Sequence, residues 1–408
     1  MWTKPVATLA TSLLIGSMGF VLSPAASWAL PCSSLPKPVY VAGSMAAAPL
    51  VAAVAEQLTR YDATPLNVIW QLKSSCAGVD AVALDTMPAS CAAGACITGK
   101  AQFWTLDMRD LQPGECDFAA TGTKVDLTVT DVAPSTCPGI GAAQLVSLID
   151  TRGPVSAYGF VMALPGAPTA IQAEEAHFVF GAGKSAGVTP WLNDTAIAVF
   201  GDKSAGQLLA GQQIKLPPGR WKVGVPAATA DDVVTTLYSD PAAGVGILPT
   251  TLADKRRNEV KMLAFQAIQQ RGAYHPDRKS SSFDKQNVRD GHYPLWGYLH
   301  TVQRAEPGNP TKPLSVNGAR VASILQGTTP VAGKDGVLLQ LQAGLVPQCA
   351  MKVTRTSDTA PLAPALPAEP CSCWFEKNVP SGILGCQACL DGKTCSSGKC
   401  RRNVCEVQ

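Results

Sequence analysis

Charge is scarce in this chain, and so are the side chains that most often do chemistry. Only 15% of the 408 residues are charged, the formal net charge is +3, and histidine occurs four times. So small a net charge gives no electrostatic footprint for nucleic acid. His177, His275, His292 and His300 are scattered, and none has a partner at metal-ligand spacing. They read as solvated or hydrogen-bonded rings, so neither metal nor cofactor is expected. His-Glu-x-x-His and a Walker loop are both missing. Ser74-Ser75-Cys76 has no activating histidine in its sequence context, so an enzyme is not expected. Cysteine is absent from the whole stretch between Cys137 and Cys349, so the middle of the protein folds without covalent help. Past residue 29, no run is long and apolar enough to span a bilayer.

What is present begins with an export signal. Lys4 and the amino terminus precede an apolar run, "PVATLATSLLIGSMGFVL", and "SPAASWA" puts Ser27 and Ala29 at the positions a signal peptidase reads. Cleavage is expected after Ala29, which places the mature chain in the periplasm, outside the cell or on the surface of a bacterium. Fourteen cysteines in an exported chain read as disulfides. Cys91 and Cys96 flank "AAGA" and suit a small loop, while Cys76 has Cys116 or Cys137 as a partner. Eight cysteines lie from Cys349 to Cys405, enough for four bridges. Cys386-x-x-Cys389 has zinc-like spacing, but the tail has no histidine, and structural disulfides are the expectation.

Strand and helix patterns alternate. "KPVYVAG" reads as a buried strand and "AAAPLVAAVAEQLTRY" as a helix with Pro49 in its first turn. "LNVIWQL" is a second strand, "KSSCAGVDAVAL" runs through small polar residues into a helix, and "VDLTVTDVAPS" is a third strand ending in Thr130-Asp131. "AYGFVMAL" is another strand, and "GRWKVGVPAATADDVVTTLY" reads as strand, loop, helix. This order predicts an α/β lobe with a mainly parallel sheet and ligand loops at the carboxyl ends of its strands. "DKRRNEVK" at 254–261 reads as a solvated helix face rather than a device for steering anions. Residues 354–370, with Pro361, Pro364, Pro367 and Pro370, read as a linker, and 371–408 as a Cys-rich tail too small for an ordinary core.

Strands that run into helices through small residues expose backbone N–H groups at the positive end of a helix dipole. Ser44, Ser75 and Thr130 add hydroxyls to three such turns. In that order the turns resemble the phosphate-binding proteins of ABC transporters, in the type 2 periplasmic-binding-protein superfamily. "VYVAGSMAAAPLVAAVAEQL" is similar to the family's Gly-Ser-Thr-Thr-Val-Ala-Pro turn and first helix. "SSCAGVDAV" resembles the second ligand turn, and "DLTVTDVAP" the Asp-Phe-Gly-Ala-Ser-Asp-x-Pro segment. "IQAEEAHFVFGAG", "GVGILPTTLAD", "VRDGHYPLWGYL" and "AGLVP" follow collinearly, and the likeness covers roughly residues 38–352.

The resemblance implies a two-lobed fold with a hinge: lobe 1 about 36–155 and 245–353, lobe 2 about 156–244, then the linker and the disulfide-rich tail. It implies a cleft lined by Ser44, Met45, Ala46, Ser75, Cys76 and Asp131, a small oxyanion ligand such as phosphate, and an ABC permease as partner of a monomer. Asp131 would accept a hydrogen bond from protonated phosphate. Thr130 and Thr229 are further ligand candidates. The sequence departs from the family in the second lobe. "WKVGVPAATADDVV" has no arginine after Val223, and Ala227-Ala228-Thr229 replaces a Ser-Gly-Thr helix start, where Thr229 is read first as a cap. Arg220 and Lys222 fall on the wrong side of that strand. A dianion facing Asp131 without an arginine is poorly compensated. The alternative expectation is therefore a secreted or surface interaction protein that reuses the fold, with a degraded pocket and the Cys-rich tail as its binding end.

Overall fold

A computed structural model describes residues 30–84, 97–107, 110–382, 385–390, 395–396 and 398–406. The expected signal segment and the Cys91–Cys96 loop lie outside the described residues. Strand β1, Pro38–Gly43, leads through one 3-10 turn into helix α1, Ala48–Arg60, with a proline in its first turn. Leu50, Val51, Val54, Ala55 and Leu58 form its buried stripe. Next come β2 (Asn67–Leu72), α2 (Ser75–Ala83), β3 (Lys100–Asp107), β4 (Asp110–Asp117) and β5 (Leu127–Thr130). A 16-residue strand, β6 (Leu148–Ala163), precedes α3 (Ala173–Ala182), α4 (Ala205–Ile214) and α5 (Ala230–Tyr238). The body closes with β7 (Gly246–Pro249), β8 (Val260–Met262), β9 (Trp296–Glu306), β10 (Asn309–Pro313) and α6 (Val316–Leu325).

The main sheet runs β7-β6-β9-β5-β1-β2-β3-β4, with β8 also on β6 and β10 on β9. The sheet as a whole is mixed, while the three strands expected in the first lobe are parallel. Only β2-β1-β5 is parallel, joined through helical crossovers. The hairpin β3–β4 is antiparallel, as is β9, which returns late in the chain to lie between β5 and β6. β6 joins the two halves of the molecule. Residues 148–157 pair with β9, and residues 158–163 pair with β7 and β8. One apolar core packs α1 and α6 on β1, β2 and β5. Another gathers Phe160, Phe180, Trp191 and Phe265 in the second half.

The proline-rich stretch 354–370, expected as a linker, lies against the body. Asp358 accepts from the Ala133 N–H at 2.8 Å and from Thr136 Oγ1 at 2.7 Å. The Arg355 guanidinium stacks 3.8 Å from the Trp296 ring and donates to the Pro294 carbonyl at 2.9 Å. The charged run 254–261 is likewise only partly solvated. Arg257 bonds Asp254 and Asp277, and those two carboxylates also hold the buried ammonium of Lys285.

The tail adds helix α7 (Ser372–Asn378) and a hairpin of β11 (Lys399–Arg401) and β12 (Val404–Glu406). Four bridges close within the set of eight cysteines: Cys349–Cys371, Cys373–Cys386, Cys389–Cys400 and Cys395–Cys405. Cys386 and Cys389 thus sit in different bridges, and the sulfurs of Cys389, Cys395 and Cys405, though close together, leave no thiolate for a metal. Trp374, Phe375 and Val404 enter the core of the body. The fully buried Arg289 donates to Glu376 at 2.9 Å and to the Ala350 carbonyl at 3.0 Å. The tail is thereby fastened by a disulfide, an ion pair and apolar packing.

Candidate functional site

The expected ligand turns converge on Asp131. Two glycines make this convergence sterically possible. Gly43 ends β1 at φ +128°, and a Cβ there would lie 1.9 Å from the Val129 carbonyl oxygen. A Cβ on Gly78 would lie 2.6 Å from Gly43 Cα, so α2 rests directly on the end of β1. The result brings Ser44 and Ser75 to the carboxylate that follows β5.

Asp131 has no solvent exposure. Its Oδ2 accepts from the Tyr158 hydroxyl at 2.8 Å, from Ser75 Oγ at 3.4 Å and from Ser44 Oγ. Oδ1 is buried with no hydrogen-bond partner. Burial pushes the Asp131 carboxyl above its ordinary value, while the hydroxyls of Ser44, Tyr158, Ser156 and Ser75 work against that shift. Burial and the Asp131 charge hold the Tyr158 phenol well above its ordinary value, which keeps it a donor. Helix α4 covers the Tyr158 ring at Gly206, where a Cβ would lie 2.8 Å from a ring carbon.

The neighbouring donors also have partners within the chain. The Ala46 N–H bonds Ser44 Oγ at 3.1 Å, and the Ala46 carbonyl accepts from Thr251 Oγ1 at 3.1 Å. Ala46 is fully buried. Met45 is half-buried against the apolar cluster that includes Phe200, Ala227, Val234 and Leu248, in the other half of the fold. Cys76 is bridged to Cys137, and its N–H donates to the Lys203 carbonyl at 3.0 Å. Ser74 Oγ bonds that carbonyl at 2.7 Å, and Lys203 Nζ pairs with the buried Asp80. These contacts tie the two halves together beside the turns.

Thr130 and Thr229 use their hydroxyls locally. Thr130 Oγ1 donates to the Val132 carbonyl at 3.0 Å. Thr229 caps α5, accepting from the Asp232 N–H at 3.1 Å. In return the Asp232 carboxylate accepts the N–H groups of Ala228 and Thr229, both at 2.9 Å. Those bonds hold the Asp232 carboxyl below its ordinary value. Of the expected residues, then, Ser44, Ser75 and Asp131 meet directly, with Met45, Ala46 and Cys76 around them. Tyr158, Lys203 and Thr251 were not anticipated. For Tyr158 the signal was present: a phenol inside an apolar strand needs a buried partner. Five cavities of 430, 700, 360, 210 and 550 Å³ are lined by residues other than Ser44, Ser75 and Asp131.

No family model matches the chain, and no curated relative does. Solved structures do. A protein assigned as a phosphate ABC transporter substrate-binding protein from Clostridium perfringens, solved with bound phosphate, aligns with TM-score 0.51 at 10% identity, over 76% of this chain and 99% of its own. An ABC-type phosphate transport receptor from Vibrio cholerae aligns over the same shares with TM-score 0.47 at 11% identity. A phosphate-binding protein from Stenotrophomonas maltophilia gives 0.43 and 11%, over 76% of this chain and 90% of its own. The fold is that of the periplasmic binding proteins. Tyr158, the strand residue that bonds Asp131, stands where β6 changes partner from β9 to β7. No helix among the described residues is long and apolar enough to cross a membrane.

Proposed function

We propose that this chain is an exported protein of the binding-protein fold whose interlobe site has become an internal polar lock, and that it acts through its surface as an interaction protein. One observation carries the reading. The groups that would receive an oxyanion already hold acceptors of the chain itself: three hydroxyls on Asp131, two backbone N–H groups on Asp232 and one on the Lys203 carbonyl. Opening the cleft strips buried donors of partners, at about 1–3 kcal/mol each. No arginine is among the hydrogen-bond partners of Asp131, so a phosphate dianion would meet a carboxylate without compensation. The disulfide-closed tail and the leading signal support export. With Trp374, Phe375 and Val404 committed to the body, the tail serves as a clamp more than as a free binding end.

A second reading is the expected one: a solute-binding protein taking phosphate or another small oxyanion, delivering it to an ABC permease. The convergence of Ser44, Ser75 and Asp131 between the halves favours it, as does the phosphate in the Clostridium perfringens protein. Calorimetry on the oxidised mature protein at low salt, with phosphate and sulfate, separates the two. The lock predicts no heat from either. Micromolar or tighter phosphate binding, lost in Asp131→Ala or Ser75→Ala, overturns it.

A further inference from the structure

The face around the Pro217–Arg220 turn carries two adjoining cavities, and their lining differs from that of the other three. One, of 430 Å³, is lined by His177, Phe178, Lys215, Pro217, Arg220 and Lys222 among others. The second, of 700 Å³, shares Lys215 and Pro217 and is lined by hydroxyls and amides, including Ser135, Ser357, Thr359, Gln212 and Gln213. No acidic residue lines either cavity. Lys215, Arg220 and Lys222 are exposed, and no hydrogen bond or ion pair within the described residues engages their charged ends. The cavities of 360, 210 and 550 Å³ each include a carboxylate in their lining, Glu369, Asp254 and Glu115 respectively.

The turn that presents these charges is held rigid. Arg220 N–H closes a turn onto the Pro217 carbonyl at 3.1 Å, with Pro218 and a glycine at φ +76° between them. Trp221 Nε1 donates to the Leu216 carbonyl at 3.1 Å, and its ring packs 5.0 Å from Phe180. His177 bonds the Ile214 carbonyl through Nδ1 at 2.9 Å, which fixes its ring beside Lys215. Phe178 stands 53% exposed at the rim. With the backbone already fixed, binding has only side-chain freedom left to remove.

We infer that this face is a docking groove for an anionic polysaccharide. The three unpaired cations and the absence of carboxylates match a chain of carboxylate, sulfate or phosphate groups. The hydroxyl and amide lining of the larger cavity matches sugar hydroxyls, and the exposed Phe178 ring offers an apolar face to a pyranose. The inference rests on the reading of the chain as an exported interaction protein and names the class of its partner.

The test is binding of alginate, a carboxylated polysaccharide, to the oxidised mature protein at low salt, with neutral dextran and polyglutamate as controls. Alginate is expected to bind, and added salt to weaken it. The combined variant Lys215→Gln, Arg220→Gln, Lys222→Gln is expected to lose about tenfold or more in affinity with an unchanged melting temperature. A control variant of equal charge change, Lys312→Gln, Lys334→Gln, Lys352→Gln, is expected to bind as the parent does. Phe178→Ala is expected to weaken alginate a few-fold. Failure of alginate to bind, equal binding of polyglutamate or dextran, or equal loss in the control variant overturns the proposal. The phosphate calorimetry is read separately. Phosphate binding with alginate still held at the groove overturns the lock alone, and silence toward both anion and alginate overturns the groove alone.

Discussion

At the end of β5 and at the start of α5 the same need arises, donors without an acceptor, and a carboxylate of the chain itself answers it in both places. The settings differ. Asp131 has no exposure and gathers three side-chain hydroxyls from distant parts of the sequence. Asp232 lies at the surface and takes backbone N–H groups from residues three and four positions before it. Burial raises the pKa of the first, and hydrogen bonds lower that of the second. An exposed nest can be filled by the next turn of helix, whereas a buried hub exists only if the tertiary fold assembles it. The first carboxylate therefore belongs to the architecture of the fold, and the second to a helix cap.

The largest effect is expected at the buried carboxylate. Asp131→Ala leaves Ser44, Ser75 and Tyr158 without their acceptor and opens a small void, at about 3 kcal/mol or more of stability by chemical denaturation. If it unfolds no more easily than Thr229→Ala, the hub is no keystone. Asp131→Asn keeps one carbonyl oxygen for the hydroxyls and is expected to be much milder in the same assay.

That milder variant also reports the charge. The folded pKa of Asp131 lies above the unfolded value, so its contribution is fully present below pH 3.8 and is lost as pH rises through the folded pKa. The melting temperature of the parent minus that of Asp131→Asn should fall with rising pH. Asp232 runs the other way. Its folded pKa lies below 3.8, so its contribution is present above that pH and lost as pH falls through the folded value. Asp232→Asn should therefore differ from the parent at neutral pH and converge with it in acid. Parallel slopes for the two variants would erase the distinction between them. Thr229→Ala, which removes only the cap, is expected to cost about 1 kcal/mol. Screening makes the Asp232→Asn shift the smallest of the set.

The fold was legible where local signals sufficed. β1, its glycine turn and α1 followed from a β-branched run, Gly43 and the apolar stripe through Leu58. The cap at Thr229 followed from a threonine standing at the helix start, and the closure of eight cysteines among themselves followed from their clustering. The sheet was less legible, because nothing near "GYLHTV" announces that β9 will insert between β5 and β6 in the antiparallel sense. The stretch 354–370 looked like a linker by its prolines, yet Arg355 and Asp358 anchor it to Trp296 and Thr136. Among the site residues, Ser44, Ser75 and Asp131 were within reach of sequence reasoning. Tyr158 is marked only as a phenol within an apolar strand, and Lys203 lies in a loop without a motif.

By itself the sequence determined that 38–43 would be a strand and 48–60 a helix, where Gly43 bends the chain, how Thr229 starts α5 and which cysteines form a set. Each depends on residues a few positions apart, and short-range sterics and hydrogen bonds decide it. Only the tertiary structure decided that Asp131 would be met by hydroxyls 87, 56 and 27 residues away. It also decided that Met45 would pack against the opposite half and that three cations would be left unpaired on one face. Those outcomes depend on which distant groups exclude water from one another, and burial of that kind has no signature in local sequence.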